Sequence, residues 1–494
     1  MNKSFTIRTE KKTGLTICLF LCVAVCVAQK NWITDGPTFK SYQQALNLEL
    51  AEARAGIPKA ETPQQIYVAS LADILELLIT ENEVSFEKYE DRWSDRIDKL
   101  EDIDPITADA LFALAELRLQ WAFTYLKFGH EVDAAWNIRQ AYLQVQKCKE
   151  KFPDFVPVKK TSGVLEVMLG SIPEKYQWII SMFGMEGSVE KGLRELESLK
   201  DAGSDLSFET ALIYHLTQGF ILQQTAPAAG GLAQLITQYP DQRLLLFLGG
   251  CVAIKNSESE KALGYFKTLH ENQNGLLIAY ADYQTGEVYL HKGEYKLSIE
   301  HYQKFLSHYT GSNYVKDAHY KIGICYWLQG KSKDARKYFT KATTAGNEST
   351  EADRYAARSL AEKTDPNIKL SKIRYATDGG YYTQAEAIIT SVTDSDIPSK
   401  KEKTEFVYRK ARLFHKKNAL TDAKQNYLQT ITEAGEEPWY FAPNACLQLG
   451  YIFMDENNSA EAKKYFSKAI TYKKHEYKNS IDSKAKSGLA RLKK

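Results

Sequence analysis

The chain has 494 residues, of which 44% are hydrophobic and 26% are charged, and its formal net charge is +2. This length exceeds what one ordinary hydrophobic core accommodates, so two or more domains or an array of repeats are expected. The near balance of charge gives the chain as a whole no electrostatic attraction to nucleic acid or to anionic lipid.

Residues 1–28 have the pattern of a signal peptide. Four basic residues stand among the first twelve, and residues 15–28 are uncharged. A run of about 14 residues is too short to span a bilayer, which takes about 20, and Cys26-Val27-Ala28 puts small residues at the usual cleavage positions. We expect cleavage after Ala28 and export, to the periplasm or outer membrane in a bacterium and otherwise to the medium; an uncleaved anchor is the alternative. Cleavage removes four basic residues and one acidic residue, so the net charge becomes −1.

Residues 29–205 are predicted to form an N-terminal helical domain without a clean repeat. Apolar residues recur at helical spacing in five segments, residues 39–55, 63–80, 85–101, 106–128 and 132–152. The strict alternation that is typical of strands is almost absent, which argues against an α/β enzyme with a parallel sheet. An enzyme with an unrecognised site in this region stays open as the less favoured alternative.

Residues 206–474 contain a degenerate repeat. A small residue is followed by an aromatic residue, an alanine, a second aromatic residue and a second alanine, and residues 316–347 hold these at Gly323, Tyr326, Ala335, Phe339 and Ala342. The small residue lets two antiparallel helices approach closely, and the aromatic residues fill the space between them. The first slot recurs at Gly250, Gly286, Gly323, Ala411 and Gly450, with one degenerate unit at residues 368–392.

This pattern resembles the tetratricopeptide repeat, and the resemblance implies an all-α fold, an α-α superhelix of tetratricopeptide type, after the N-terminal helical region. Residues 209–240 are expected to form a divergent first repeat, with a helix over residues 209–223, a turn at Ala226-Pro227 and a second helix ending at Tyr239-Pro240. Residues 475–494 are expected to form a basic capping helix. A solvated cap is favoured there over contact with an anionic partner.

A segment before the repeats carries a second resemblance. Residues 163–173 indicate a helix stopped by Pro173, residues 176–184 an apolar helix, and residues 186–199 a glycine turn and an amphipathic helix. Together with the helix over residues 113–128 and with Trp136, Arg139 and Tyr142 after it, this order is similar to the tetratricopeptide repeat protein 39, or inclusion-body clearance, family. The similarity covers residues 37–490 by layout and implies an all-helical scaffold without known chemistry. The similarity does not assign a role in inclusion clearance to a chain that is expected to be exported.

The sequence offers no pattern of catalytic or metal-binding residues. It contains no HExxH, HxH or CxxC, no GxSxG, and no Walker or GxGxxG loop. Cysteines 148, 251, 325 and 446 are scattered at helical positions, which favours buried free thiols over disulfides. The sequence therefore predicts a protein that is not an enzyme and that uses no metal ion or cofactor.

The first helices of the repeats supply the candidate binding residues. In this repeat type, the second, fifth, ninth, twelfth and thirteenth positions of the first helix line the concave groove; here they hold Tyr280, Tyr283, His291, Tyr320, Trp327, Tyr408, Arg412 and Tyr451, with Glu287, Ile324 and Leu447. Tyr, Trp and Arg carry much of the binding energy at interfaces, although several of the 30 tyrosines could equally pack between repeats.

We therefore expect a non-catalytic adaptor that binds a protein or peptide partner and no nucleic acid, in possible association with components of the cell envelope. A glycan- or nutrient-binding envelope protein is the first alternative. The sequence predicts neither the partner's identity nor the oligomeric state.

Overall fold

The computed structural model describes residues 31–172, 183–362 and 364–492, which form 24 α-helices and no β-strand. The predicted all-α fold is confirmed. The signal peptide predicted over residues 1–28 lies outside the described residues, as does most of the apolar helix predicted over residues 176–184. None of the described helices is both long and apolar enough to cross a membrane.

Eight helices form the N-terminal region. They are α1 (Gly36–Leu46), α2 (Leu50–Ala55), α3 (Pro63–Thr80), α4 (Glu83–Glu101), α5 (Ala108–Lys127), α6 (Glu131–Lys151), α7 (Lys159–Gly170) and α8 (Val189–Lys200). The predicted single helix over residues 39–55 is two helices, because Leu48 adopts a φ of 63° that no α-helix continues. The other four predicted segments agree with α3–α6 to within a few residues.

The divergent first repeat differs from its prediction at the turn. Helix α9 (Ser207–Leu216) runs into a π-helical turn at Thr217–Ile221, and α10 (Thr225–Gln238) follows. The turn therefore precedes Ala226-Pro227, and Pro227 lies in the first turn of α10, where a missing backbone N–H costs no helical hydrogen bond. The predicted end of the second helix before Pro240 is confirmed.

The remaining helices are paired, apart from one insertion and the cap. The pairs are α11 (Arg243–Lys255) with α12 (Ser259–Glu271), α13 (Ala279–Lys292) with α14 (Tyr295–His308), α15 (Val315–Leu328) with α16 (Ser332–Thr344), α18 (Ile368–Asp378) with α19 (Tyr382–Thr390), α20 (Lys400–Lys416) with α21 (Leu420–Ala434), and α22 (Phe441–Asp455) with α23 (Ser459–Thr471). Helix α17 (Glu351–Ala361) is the insertion and α24 (Lys478–Arg491) follows the last pair.

The superhelix curves tightly enough to bring distant pairs together. The Tyr381 hydroxyl, at the start of α19, donates a 2.8 Å hydrogen bond to Glu260 of α12. Farther along, Tyr355 of α17 stacks on Tyr477, just before α24, with ring centroids 6.4 Å apart. Side chains on one side of the first helices therefore face a shared interior.

The N-terminal region is fixed against the repeats by hydrogen bonds in which at least one partner is a backbone group. The Leu276 N–H donates to the Leu48 carbonyl at 2.8 Å, and the Arg243 N–H donates to Asn47 Oδ1 at 2.9 Å. A third contact joins Thr310 Oγ1 to the Thr80 carbonyl at 2.9 Å. The interruption at Leu48 thus exposes backbone groups that hold the start of the repeats.

Candidate binding surface

Four of the predicted groove residues lie in the interior. Tyr283, His291, Tyr320 and Tyr408 are all buried. The Tyr283 hydroxyl donates to Asp317 Oδ2 at 2.6 Å, and burial raises its pKa well above 10. These side chains pack between helices because the curvature brings neighbouring pairs against them.

The network around Tyr283 is internally paired. Lys321 Nζ lies 2.5 Å from Glu287 Oε1 and 3.0 Å from Asp317 Oδ2, and it donates to the Tyr283 hydroxyl at 3.1 Å. Two carboxylates stabilise the charged ammonium despite its burial, so the pKa of Lys321 is raised. The charge of Lys321 is therefore compensated within the protein, although the buried Asp317 Oδ1 has no hydrogen-bond partner among the described residues.

Four other predicted residues, Tyr280, Trp327, Arg412 and Tyr451, are partly exposed. Trp327 Nε1 donates to the Pro366 carbonyl at 2.9 Å, which ties α15 to the segment before α18. Tyr280 stacks on Tyr283 with ring centroids 5.1 Å apart. The predicted Glu287 is partly exposed, whereas Ile324 and Leu447 are buried. Arg412 alone among these residues belongs to a larger group of cations.

Three arginines of α18 and α20 line the interior. Arg412 Nη2 lies 3.2 Å from Asp378 Oδ1, and Arg374 Nε lies 3.8 Å from Asp378 Oδ2. Arg409 pairs with Glu405 at 2.6 Å. The side chains of Arg374 and Arg412 keep 30% and 26% of their surface exposed. Neighbouring tyrosines, and for Arg412 also Asp378, stabilise their charges, so the pKa of each is raised despite burial. We call the partly exposed surface around these two side chains the recess.

Tyrosines interleave with these arginines. Arg374 Nη1 donates to the Tyr355 hydroxyl at 2.8 Å, and Arg409 Nη2 donates to the Tyr440 hydroxyl at 3.0 Å. Tyr440 meets Tyr477 edge to face, with centroids 5.3 Å apart. The aromatic rings hold the guanidinium groups in fixed orientations.

Three lysines complete the group from helices far apart in sequence. Lys255 of α11, Lys416 of α20 and Lys484 of α24 make no ion pair with any described residue. Burial lowers the pKa of each, and a neighbouring positive charge lowers it further: Lys484 acts on Lys255, and Arg412 acts on both Lys416 and Lys484. The negative charge of Asp378 offsets part of this at Lys416. We name these lysines with Arg374, Arg409 and Arg412 the inner cationic cluster.

Sequence reasoning found one member of this cluster, Arg412, from its position in the repeat. The repeat pattern gives no signal for Lys255 or Lys484, because 229 residues separate them and only the curvature of the superhelix brings them together. The basic C-terminal segment was the one available signal for Lys484.

The described residues show no arrangement of metal ligands: within these ranges no three His, Cys, Asp or Glu side chains are grouped to hold an ion. The four cysteines in the described part of the chain, Cys148, Cys251, Cys325 and Cys446, are free thiols. Burial raises the pKa of Cys325 to about 12, which keeps it protonated and unreactive.

Residues 277–348 and 443–476 match tetratricopeptide repeat family models. The chain thus contains tetratricopeptide repeats, which generally mediate protein–protein interaction and typically form non-catalytic scaffolds. A comparison with curated proteins finds no match.

Several solved structures are similar in fold. PilF of Pseudomonas aeruginosa is 14% identical, with a TM-score of 0.35, over 51% of this chain and 99% of its own. PilW, a type IV pilus biogenesis factor, is 14% identical with a TM-score of 0.33, over 49% and 97%. A tetratricopeptide repeat protein of Parabacteroides merdae is 15% identical with a TM-score of 0.22, over 66% and 99%.

Proposed function

We propose that the protein is a non-catalytic scaffold of the cell envelope that binds a segment of a partner protein along the inner face of its superhelix. The observation that carries this proposal is the recess lined by Arg374, Arg412 and their neighbouring tyrosines, which is solvent-accessible yet surrounded by protein. Arginine and tyrosine are enriched among the residues that dominate binding energy at interfaces.

The recess favours a thin ligand over a folded domain. Side chains of α11, α18, α20 and α24 surround it, and we expect a partner to enter it as an extended chain or a single helix. The lining is held in place before binding, because Tyr355 and Tyr440 fix two of the arginines. A pre-ordered lining lowers the entropic cost of binding.

The envelope location rests on the signal peptide predicted from residues 1–28. The similarity of residues 37–490 to the inclusion-body clearance family stays a prediction from layout, and it adds no activity to the proposal.

Affinity purification from envelope extracts tests the proposal. Two aromatic residues lie beside the cluster, the exposed Phe220 and the partly exposed Tyr382. The Lys255 ammonium lies 4.7 Å from the Phe220 ring, and the Arg412 charge acts on Tyr382. Changing both to Ala removes contact surface without removing charge, and Val132→Ala with Leu428→Ala, also exposed, is the matched control. We expect a discrete partner with the wild type and the control, and its loss with the inner variant. Equal recovery from all three proteins would contradict inner-face binding.

A further inference from the structure

We propose that the inner cationic cluster recognises an acidic segment of the partner, pairing Asp or Glu side chains with Lys255, Arg412, Lys416 and Lys484. This inference rests on the proposed function and adds the chemical class of the bound segment.

The first argument is charge. The cluster contains six cations, and its ion-pair partners are the two carboxylates Asp378 and Glu405. Four positive charges are therefore uncompensated, in a chain whose mature form is predicted to carry a net charge of −1. These uncompensated positive charges lie close together and face one recess. Such a concentration of one sign raises the local concentration of oppositely charged ligands.

The second argument is that the three lysines of the cluster, with their positive charges, do not stabilise the folded protein. Lys255 and Lys416 are partly buried, and Lys484 is exposed. A neighbouring cation opposes the charged form of each lysine, and the negative charge of Asp378 offsets only part of this at Lys416. By contrast, the partly buried Lys321 has two carboxylate partners. A carboxylate of the ligand would form the ion pairs that these lysines lack within the described part of the protein. Binding would therefore reduce the electrostatic free-energy cost of keeping the lysines charged, which the free protein already bears.

The third argument is spacing. Arg412 and Lys416 stand one turn apart on the same face of α20, whereas Arg409, which precedes them on that face, is buried. At a rise of 1.5 Å per residue, Arg412 and Lys416 are about 6 Å apart along the helix axis, which is the length of about two residues of extended chain. Lys255 and Lys484 approach from α11 and α24. An extended segment with closely spaced acidic residues can therefore reach several of these cations at once.

The fourth argument favours a peptide over a nucleic acid. Asp378 and Glu405 stand among the cations and present acceptor oxygens, which backbone N–H groups of a peptide can use as hydrogen-bond acceptors. A nucleic acid has its donors on the 2′-hydroxyls and the bases rather than on the charged phosphodiester groups, so the same two carboxylates repel the charge of its backbone. The exposed ring of Phe220 beside Lys255 adds an apolar contact for a side chain.

Fluorescence anisotropy with three labelled probes tests the inference on the purified protein. The probes are a ten-residue peptide of alternating Glu and Ser, the same peptide with Gln in place of Glu, and a ten-nucleotide RNA. We expect the acidic peptide to bind at least about ten times more tightly than either other probe, with an affinity that falls as salt is added.

Two double variants complete the test. Lys416→Gln with Lys484→Gln removes two unpaired inner charges, and Lys267→Gln with Lys296→Gln removes two from exposed positions on α12 and α14. The inner variant is expected to weaken acidic-peptide binding at least about tenfold at an unchanged melting temperature, whereas the outer variant leaves binding unchanged.

Equal binding of the Glu and Gln peptides, equal affinity of the two double variants, or tighter binding of the RNA each overturns the acidic assignment. If the partner recovered in the purification is lost with the Phe220 and Tyr382 variant but not with the lysine variant, the acidic assignment fails while the proposed function stands.

Discussion

The ring of Phe339 fills the space that a side chain at Gly323 would occupy: a Cβ at Gly323 would lie 2.5 Å from its nearest ring carbons. The same relation, at the same separation of 16 residues, joins Gly250 to Phe266, Gly286 to Tyr302 and Gly450 to Phe466. The two helices of each pair therefore touch through backbone on one side and an aromatic ring on the other, and this contact sets their spacing in four units.

Gly323→Ala is expected to lower the free energy of unfolding by about 1–3 kcal/mol, because the added methyl group overpacks this contact. The matched control is Gly264→Ala in the exposed interior of α12, where a Cβ meets nothing within 4 Å. The control is expected to gain about 0.5–1 kcal/mol from helix propensity. Urea unfolding followed by circular dichroism measures both, and equal stability of the two variants contradicts the packing role of Gly323.

Two lysine substitutions separate unpaired from paired charges. Lys416→Gln is expected to change the free energy of unfolding by no more than about 0.5 kcal/mol, since its ammonium forms no ion pair with a described residue and the nearby charges of Arg412 and Asp378 act on it in opposite directions. Lys321→Gln is expected to lower it by about 3–5 kcal/mol, because Glu287 and Asp317 lose their counter-charge. A strong loss of stability in Lys416→Gln would show that this lysine supports the fold and was wrongly assigned to a ligand.

A buried charge cluster in the N-terminal region makes stability depend on pH. Lys160 Nζ lies 3.0 Å from Glu116 and 2.8 Å from Glu209. Burial, with the second carboxylate, raises the pKa of Glu116 above its ordinary value of 4.5. The folded protein thus holds this proton more tightly than the unfolded chain does, so the contribution of Glu116 is complete below pH 4.5 and is lost as the pH rises through the raised pKa.

Glu116→Gln is expected to remove this fall in the free energy of unfolding with rising pH. The fall approaches about 1.4 kcal/mol per pH unit in the range where Glu116 titrates. Urea unfolding between about pH 5 and pH 8 should show a shallower decline in stability for Glu116→Gln than for the wild type. The surface variant Glu300→Gln serves as the control and should keep the wild-type slope. Identical slopes for all three proteins would exclude Glu116 as a source of the pH dependence.

Signal-peptide cleavage after Ala28 is expected to leave Gln29 as the first residue of the exported protein. N-terminal sequencing of protein from the envelope fraction measures this directly. Ala28→Arg puts a long charged side chain at the cleavage position and should leave the precursor uncleaved. Wild-type protein that still begins at Met1 would support the uncleaved anchor.

The sequence predicts the helices well because their signals are local. Apolar spacing locates α3–α6, and the repeat pattern locates Gly323 opposite Phe339, since both residues belong to one helix pair. The division at Leu48 is not predictable in this way, because the left-handed conformation of a leucine depends on tertiary contacts such as the bond from Leu276.

The binding surface is predicted less well because it depends on curvature. A residue's position in the repeat identifies Arg412, but it identifies Tyr283 and Tyr408 equally, and these are covered by neighbouring helices. The approach of Lys255 to Lys484 depends on the rotation between successive pairs, summed over the repeats. No local pattern in the sequence encodes that sum.

Site-specific photo-crosslinking in the producing cells tests inner-face binding most directly. A benzophenone amino acid at Tyr382 places the reactive group beside the inner cationic cluster, and the same amino acid at Lys296, whose side chain is 90% exposed on α14, places it on the outside. We predict a crosslink to one protein from position 382, through a segment rich in Asp and Glu, and none from position 296. Crosslinking of that protein from position 296 but not from position 382 would contradict binding along the inner face.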